Sequence, residues 1–191
     1  AAINFGYTYN MLSIFYNFGV DGATAGLKTY YCDDVIFGGG APVLNQIALP
    51  INWEGTNTNY TVTDFGGTAS SLNADPINAS NTVLKTDKTV SAQTWGGTTL
   101  STASGLASAI PFSAGNTIIS VKVYSPNAGI VVRLKAEDHT NNTITVETDV
   151  TTTVANAWET LTFDFANQAS GTAAINFANT YDMLSIFYNF G

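Results

Sequence analysis

The chain opens and closes on nearly the same sequence. Residues 1–19 read AAINFGYTYNMLSIFYNFG and residues 173–191 read AAINFANTYDMLSIFYNFG. The copies differ only at three pairs of positions, Gly6/Ala178, Tyr7/Asn179 and Asn10/Asp182. The two copies start at residues 1 and 173, which are 172 residues apart. We favour the interpretation that the chain shows part of a tandem array with this period. The alternative is one domain that uses a duplicated strand twice in one sheet.

Composition narrows the class of protein. A period of 172 residues is of ordinary single-domain size. Only 10% of residues are charged and the net charge is −8, which disfavours binding to nucleic acid or to anionic membranes. No apolar run reaches the roughly 18 residues of a membrane span, so we expect no membrane insertion. The acidic, Lys-poor, Thr- and Asn-rich composition is typical of extracellular bacterial β-proteins, and it predicts a secreted or cell-surface location.

Short runs of β-branched and aromatic residues, separated by turn residues, dominate the chain. Roughly ten strands are expected, and no stretch has the apolar periodicity of a major helix. The clearest strand signals lie at 11–19, 28–37, 59–67, 82–86, 117–125, 129–138, 143–152 and 158–165. This pattern predicts an all-β fold, a two-sheet antiparallel β-sandwich of the jelly-roll type.

The repeat and a linker-like segment define the expected domains. Residues 38–46, GGGAPVLNQ, have linker composition. Residues 1–37 are then the last two strands of a preceding repeat, or a strand donated to a neighbouring unit. Residues 47–191 form a β-sandwich module without its final strand, whose counterpart is 28–37. Either the chain continues covalently, which we favour, or separate chains exchange this strand. Both arrangements make neighbouring copies partners.

Several short pieces in a fixed order resemble the carbohydrate-binding modules of secreted bacterial polysaccharide-degrading enzymes and surface proteins. These pieces are LPINWEG, TVTDFGG, DP, TWGG, KVYSP, VVRLKAED, ANAWETLTFDF and TYYCDDVIF. The resemblance spans nearly all of 47–191 together with 28–37. It implies a jelly roll with a structural calcium, and glycan binding on the concave sheet or at loop tips. This chain departs from the family in order, because TYYCDDVIF precedes LPINWEG.

Calcium ligands are expected at Asp33, Asp34 and Glu54. Adjacent aspartates in a strand point to opposite faces, so only one of Asp33 and Asp34 coordinates a given ion through its side chain. The family resemblance implies Glu54 as the partner, because first and last strands pair in such folds. Calcium prefers six to eight oxygen ligands. The alternative is that the aspartates are polar residues at a strand end.

A sugar-binding surface is expected on two strands. Lys122 and Tyr124 alternate with apolar residues in 117–125, as Arg133, Lys135 and Glu137 do in 129–138. If these strands are neighbours, the five side chains lie on one face of the sheet. That face then offers hydrogen-bond donors and an aromatic ring. Such faces bind sugars, and clustered cations favour an anionic glycan. The alternative is a solvated face with cross-strand ion pairs involving Glu137.

Three further residues are assigned to the sugar site. Trp95 lies in the Gly-flanked TWGG segment and is a stacking platform, whereas Trp53 and Trp158 are expected in packing roles. In MLSIFYNF, Leu184 and Ile186 are the better core candidates, which places Phe187 and Asn189 on the binding face.

Catalysis finds little support in the sequence. The single His139 has no evident Ser or Cys nucleophile beside it, and no phosphate-binding Gly motif or His/Cys metal cluster occurs. Cys32 is the lone cysteine, which excludes a disulfide framework within one period. We therefore expect a non-catalytic polysaccharide-binding module in a tandem-repeat protein. The alternative is a structural repeat of a long surface adhesin or filament.

Overall fold

A computed structural model describes residues 3–33, 35, 37 and 43–191. The chain divides into two compact units, Ala1–Pro42 and Val43–Gly191, called here unit 1 and unit 2. Almost all regular structure among the described residues is β-strand. The predicted all-β class is confirmed. No helix among the described residues has the length and apolar character needed to cross a bilayer.

Unit 1 contains one short helix and no strand among its described residues. Helix α1 (Gly22–Ala25) is capped by Asp21, whose Oδ1 accepts a hydrogen bond from the Thr24 amide at 2.8 Å. The predicted strands at 11–19 and 28–37 are therefore not strands in this structure; Asp34 and Ile36 lie outside the described residues. A strand needs hydrogen-bonded neighbours and a surface to pack on, and the apolar side chains described in these segments are exposed.

Unit 2 holds all eleven strands found in the described residues. They are β1 (Asn45–Gln46), β2 (Thr58–Asn59), β3 (Thr63–Phe65), β4 (Thr68–Ala74), β5 (Thr82–Lys88), β6 (Gly97–Thr99), β7 (Ile118–Ser125), β8 (Val131–Asp138), β9 (Asn141–Thr151), β10 (Ala157–Asp164) and β11 (Met183–Tyr188). β1 falls in the segment 38–46 that the sequence indicated as a linker. Residues 43–46 thus belong to unit 2, and the rest of that linker lies outside the described residues.

The largest sheet has five strands in the order β3-β6-β11-β8-β9, and all its pairings are antiparallel. Strand β7 pairs with β10, β4 pairs with β5, and the short β1 and β2 pair in parallel. Strands that are neighbours in space are therefore often distant in sequence. This arrangement brings the repeated C-terminal segment, as β11, to the centre of the five-stranded sheet.

The hydrophobic core lies between the five-stranded sheet and the β7–β10 pair, so the unit is sandwich-like. Inward residues alternate along each strand. The core is built from one face of β8 (Val132, Leu134, Ala136), of β10 (Leu161, Phe163) and of β11 (Leu184, Ile186), with Phe165 just beyond β10. The alternation expected for 129–138 and the strand expected at 158–165 are confirmed, as is the choice of Leu184 and Ile186 as core residues.

Strands β7 and β8 are not neighbours, which corrects the expected sugar-binding surface. β8 pairs with β11 and β9, whereas β7 pairs with β10. The two strands follow each other in sequence, but they belong to different sheets with the core between them. Lys122 and Tyr124 therefore do not share a face with Arg133, Lys135 and Glu137.

Candidate functional site

Five of the eight residues predicted for sugar binding surround one pocket on the five-stranded sheet, on the face away from the core. We call it the aromatic pocket; its volume is about 590 Å³. The predicted members are Trp95, Arg133, Lys135, Glu137 and Phe187, and the others are Phe65, Thr99, Glu147, Thr172, Ser185 and Phe190. The lining comes from all five strands of the sheet or from residues next to them. A rigid sheet thus positions the whole surface.

Aromatic rings form a continuous surface in this pocket. Trp95 is 51% exposed and lies nearly parallel to Phe65, with ring centroids 6.5 Å apart and planes inclined by 11°. Phe65 meets Phe187 edge to face at 5.3 Å, and Phe187 meets Phe190 in the same way at 5.6 Å. Such contacts fix ring orientation. The indole face of Trp95 is therefore an exposed, oriented platform.

Two glycines allow this close packing of rings. A Cβ atom added at Gly97 would lie 2.8 Å from Cδ1 of Phe187, and one added at Gly66 would lie 3.0 Å from the Trp95 ring. Gly66 also has a φ of +64°, a region that other residues rarely adopt. Gly97 of the TWGG segment and Gly66 of the DFGG segment thus let the rings lie against the backbone.

The two cations of the pocket, Arg133 and Lys135, are paired with carboxylates. The Arg133 guanidinium donates to both carboxylate oxygens of Asp149, at 2.7 and 2.8 Å, and to Glu147 at 2.9 Å. The bond to Asp149 raises the pKa of Arg133. Lys135 contacts Glu137 at 2.6 Å. Both cations of the pocket are therefore already paired with carboxylates within the described part of the chain.

Arg133 also lies over an aromatic ring. Its Cζ atom is 3.8 Å from the centroid of the Phe190 ring, within the range of a cation–π contact. The guanidinium is thereby held between Phe190 and the two carboxylates, and its side chain is mostly buried. Arg133 is a fixed wall of the pocket with few donors left for a ligand.

The other three predicted residues lie elsewhere. Lys122, Tyr124 and Asn189 line a separate cleft of about 1600 Å³ beside β7, which we call the groove. Tyr124 packs edge to face on Trp158 at 5.7 Å. The Asn189 carbonyl accepts a hydrogen bond from Lys88 Nζ at 2.7 Å. Lys122 and Tyr124 are apart from the aromatic pocket because β7 belongs to the other sheet. Asn189 follows β11, and its bond from Lys88 lies on the groove side.

Three functional candidates were missed from the sequence, namely Phe65, Glu147 and Phe190. Each sits in a segment whose own pattern is informative, since DFGG, TVETD and YNFG all carry turn or alternation signals. Their convergence depends on the order of strands in the sheet. For example, Lys135 on β8 lies opposite Glu147 on β9. This pairing depends on which strands are neighbours, and the alternation within one strand does not reveal it.

Trp158 has a polar role in addition to packing. Its indole Nε1 donates to Oδ1 of Asp75 at 3.0 Å, and the same oxygen accepts from the Ile77 amide at 2.8 Å. The bond from Ile77, with further bonds from Trp158 and Asn81, lowers the pKa of Asp75 to about 2. Trp53, by contrast, packs against the core as expected. The Asp75-Pro76 turn is thereby tied to β10.

The predicted calcium ligands are not joined into a site by the described residues. Glu54 accepts a hydrogen bond from the Thr82 amide. Asp33 belongs to unit 1 and Asp34 lies outside the described residues. Calcium binding by Glu54, Asp33 and Asp34 therefore stays a prediction.

A different cluster, Asp138, His139 and Asp182, has ligand atoms within 4.8 Å of one another. His139 Nδ1 lies 2.6 Å from Oδ2 of Asp182, whose Oδ1 accepts from the His139 amide at 2.9 Å. Asp138 accepts from the backbone and hydroxyl of Thr140. These hydrogen bonds hold the turn between β8 and β9 in place, and this explains why the three side chains lie close together.

Comparison of the chain with protein-family models, curated proteins and solved structures gave no match.

Proposed function

We propose that unit 2 is a non-catalytic carbohydrate-binding module of jelly-roll type, and that sugar binds in the aromatic pocket. The strongest support is that the fold brings most of the predicted residues together. Five residues chosen from sequence for sugar chemistry line one pocket, and two of them, Trp95 and Phe187, join Phe65 and Phe190 in a ring surface. Sugar rings stack their C–H faces on such surfaces while their hydroxyls meet polar groups.

The charge pattern favours a neutral polysaccharide. Arg133 and Lys135 are already paired with Asp149, Glu147 and Glu137. A uronic-acid group entering the pocket would meet the carboxylates of Glu137 and Glu147, and both cations of the pocket are already held in ion pairs. Neutral hydroxyls can instead accept from the cations and donate to the carboxylates without disturbing the ion pairs. We expect a secreted or cell-surface protein to present this pocket to extracellular glycans.

The fold supports the jelly-roll part of the proposal. The five-stranded sheet faces the β7–β10 pair across one core, and neighbouring strands such as β6 and β11 are far apart in sequence. Non-consecutive neighbours of this kind are typical of Greek-key and jelly-roll connections.

Affinity electrophoresis tests the proposal with the full chain run through gels containing neutral glucans, mannans or xylans, and through gels containing alginate or polygalacturonate. We expect retardation by at least one neutral polysaccharide. Trp95→Ala should weaken it about tenfold, since loss of an aromatic platform costs on the order of 1 kcal/mol or more. Phe177→Ala is the matched control, because Phe177 is 46% exposed, close to the 51% of Trp95, and is outside the pocket.

Three outcomes would contradict the proposal. One is the absence of retardation by any polysaccharide. A second is binding that Trp95→Ala leaves intact but Tyr124→Ala abolishes, which would place the sugar in the groove. The third is retention by uronic-acid polymers alone, which would overturn the assignment of a neutral ligand. Far-UV circular dichroism of each variant shows whether lost binding reflects lost folding.

A further inference from the structure

The groove has the form of a gap between two strands. Every residue of β5 (Thr82–Lys88) and every residue of β7 (Ile118–Ser125) lines it. Successive residues of a strand point to opposite faces, so a cleft reached by all of them lies along the strand edges. Its floor includes Leu134 and Ile186, core residues of the opposite sheet.

The edges that face this gap have no strand partner among the described residues. β5 pairs with β4 and β7 pairs with β10, and each pair is a two-stranded sheet by itself. Unpaired edges of this kind are templates for strand addition, in which main-chain hydrogen bonds give affinity. A strand placed in the groove would join the two pairs into one sheet and cover the apolar floor.

The repeat indicates which strand fits. The first copy of the repeated sequence, residues 1–19, is followed by residues 20–37, including KTYYCDDVIF at 28–37. The second copy forms β11, beside which the groove remains open. Because β11 has the same sequence as residues 11–16 of the first copy, the strand-like segment 28–37 that follows the first copy is the candidate occupant of the groove. At about 3.3 Å per residue, its ten residues are long enough for the eight of β7.

Charge and exposure agree with that occupant. Lys122 makes no ion pair within the described part of the chain and stands exposed on the groove wall. The segment carries two adjacent acidic residues, Asp33 and Asp34. In unit 1, Tyr31 and Phe37 of the same segment are exposed. Insertion would bury apolar side chains and bring opposite charges together.

We propose that the groove between β5 and β7 binds the segment 28–37 of a second copy of this chain, which adds a strand between the two pairs. Copies of the chain thereby assemble by exchanging this segment. This assembly is independent of sugar binding, because the aromatic pocket lies on the other sheet, on the face away from the core.

Cysteine crosslinking of the full chain tests this assembly. Lys122→Cys places a thiol on the groove wall, and the native Cys32 lies within the inserting segment and is exposed. Because residues 31 and 32 point to opposite faces of a strand, a second donor, Cys32→Ser with Tyr31→Cys, covers the other orientation. Ser120→Cys is a second acceptor at another exposed position of β7. Thr143→Cys, exposed on β9, is the matched control acceptor.

Isotopically heavy and light chains are mixed, unfolded, refolded together and oxidised, and the disulfide-linked peptides are identified by mass spectrometry. We expect heavy–light peptides joining residue 31 or 32 to residue 120 or 122, at several times the yield of the Thr143→Cys control. Crosslinks confined to heavy–heavy and light–light peptides would mean that each chain fills its own groove, and would overturn assembly by a second copy. Equal yields at Thr143→Cys and on β7 would overturn the groove as the site, as would no crosslink in any folded variant.

Discussion

Arg133 shows how one residue serves both the stability and the shape of the pocket. Its guanidinium is bound on one side by Asp149 and Glu147 and covered on the other by Phe190. The contact with Asp149 uses two nearly parallel N–H donors, a geometry that lysine cannot reproduce. The residue therefore holds β8, β9 and the C-terminal turn together beneath the exposed rings.

Removing this guanidinium should destabilise unit 2. Arg133→Ala leaves two partly buried carboxylates without their partner, and we expect the free energy of unfolding to fall by about 2 kcal/mol. Arg133→Lys should recover only part of this loss. Urea unfolding followed by tryptophan fluorescence measures both effects.

The matched control is Lys85→Ala. Lys85 pairs with Asp87 at 2.6 Å, but both side chains are more than half exposed, so we expect a loss below about 0.5 kcal/mol. Equal losses for Arg133→Ala and Lys85→Ala would contradict the structural role given to Arg133.

At the scale of the element, alternation was readable from sequence and strand order was not. The inward faces of β8 and β10 follow from a period of two residues, which is a local property. Membership of β7 in the other sheet depends on connections between distant segments, so the expected surface of Lys122 with Arg133 was wrong. Trp95 and Phe187 were found from sequence because each has a local signal, glycine neighbours or alternation. Phe65, Glu147 and Phe190 join them only through the folded sheet.

The repeated segment separates local from long-range effects in one molecule. Asn17 and Asn189 occupy equivalent positions and have φ values of 50° and 51°. The ring pairs Phe15–Phe18 and Phe187–Phe190 also have similar centroid distances, 5.7 and 5.6 Å. This turn is therefore encoded locally. The strand before it forms only in unit 2, where β6 and β8 supply partners.

Equivalent substitutions in the two copies should have unequal effects. Ile186 is 1% exposed and Ile14 is 51% exposed. Ile186→Ala leaves a cavity in the core, and we expect a loss of about 2–5 kcal/mol in the free energy of unfolding. Ile14→Ala, its matched control, should change that free energy by less than about 0.5 kcal/mol. Chemical denaturation of both variants measures the difference. Comparable losses would show that the first copy is packed as tightly as the second.

At the scale of the whole molecule, strand exchange makes stability depend on protein concentration. A partner that binds the folded unit and not the unfolded chain stabilises it by mass action, by about 2.7 kcal/mol at a hundred times the dissociation constant. For a unit of this size, each kcal/mol raises Tm by about 2–4 °C. We therefore expect the Tm of the full chain to rise by several degrees over a hundredfold increase in concentration, measured by differential scanning fluorimetry and calorimetry.

A proline in the inserting segment should abolish this dependence. Thr29→Pro removes a main-chain donor from the strand that enters the groove, and Thr29 is exposed and lies outside unit 2. Thr8→Pro, equally placed on the surface of unit 1 but outside 28–37, is the control and should keep the rise in Tm. A Tm of the unaltered chain that is independent of concentration would contradict exchange between copies. So would a rise in Tm that both proline variants retain, because the concentration effect would then come from contacts other than the inserted strand.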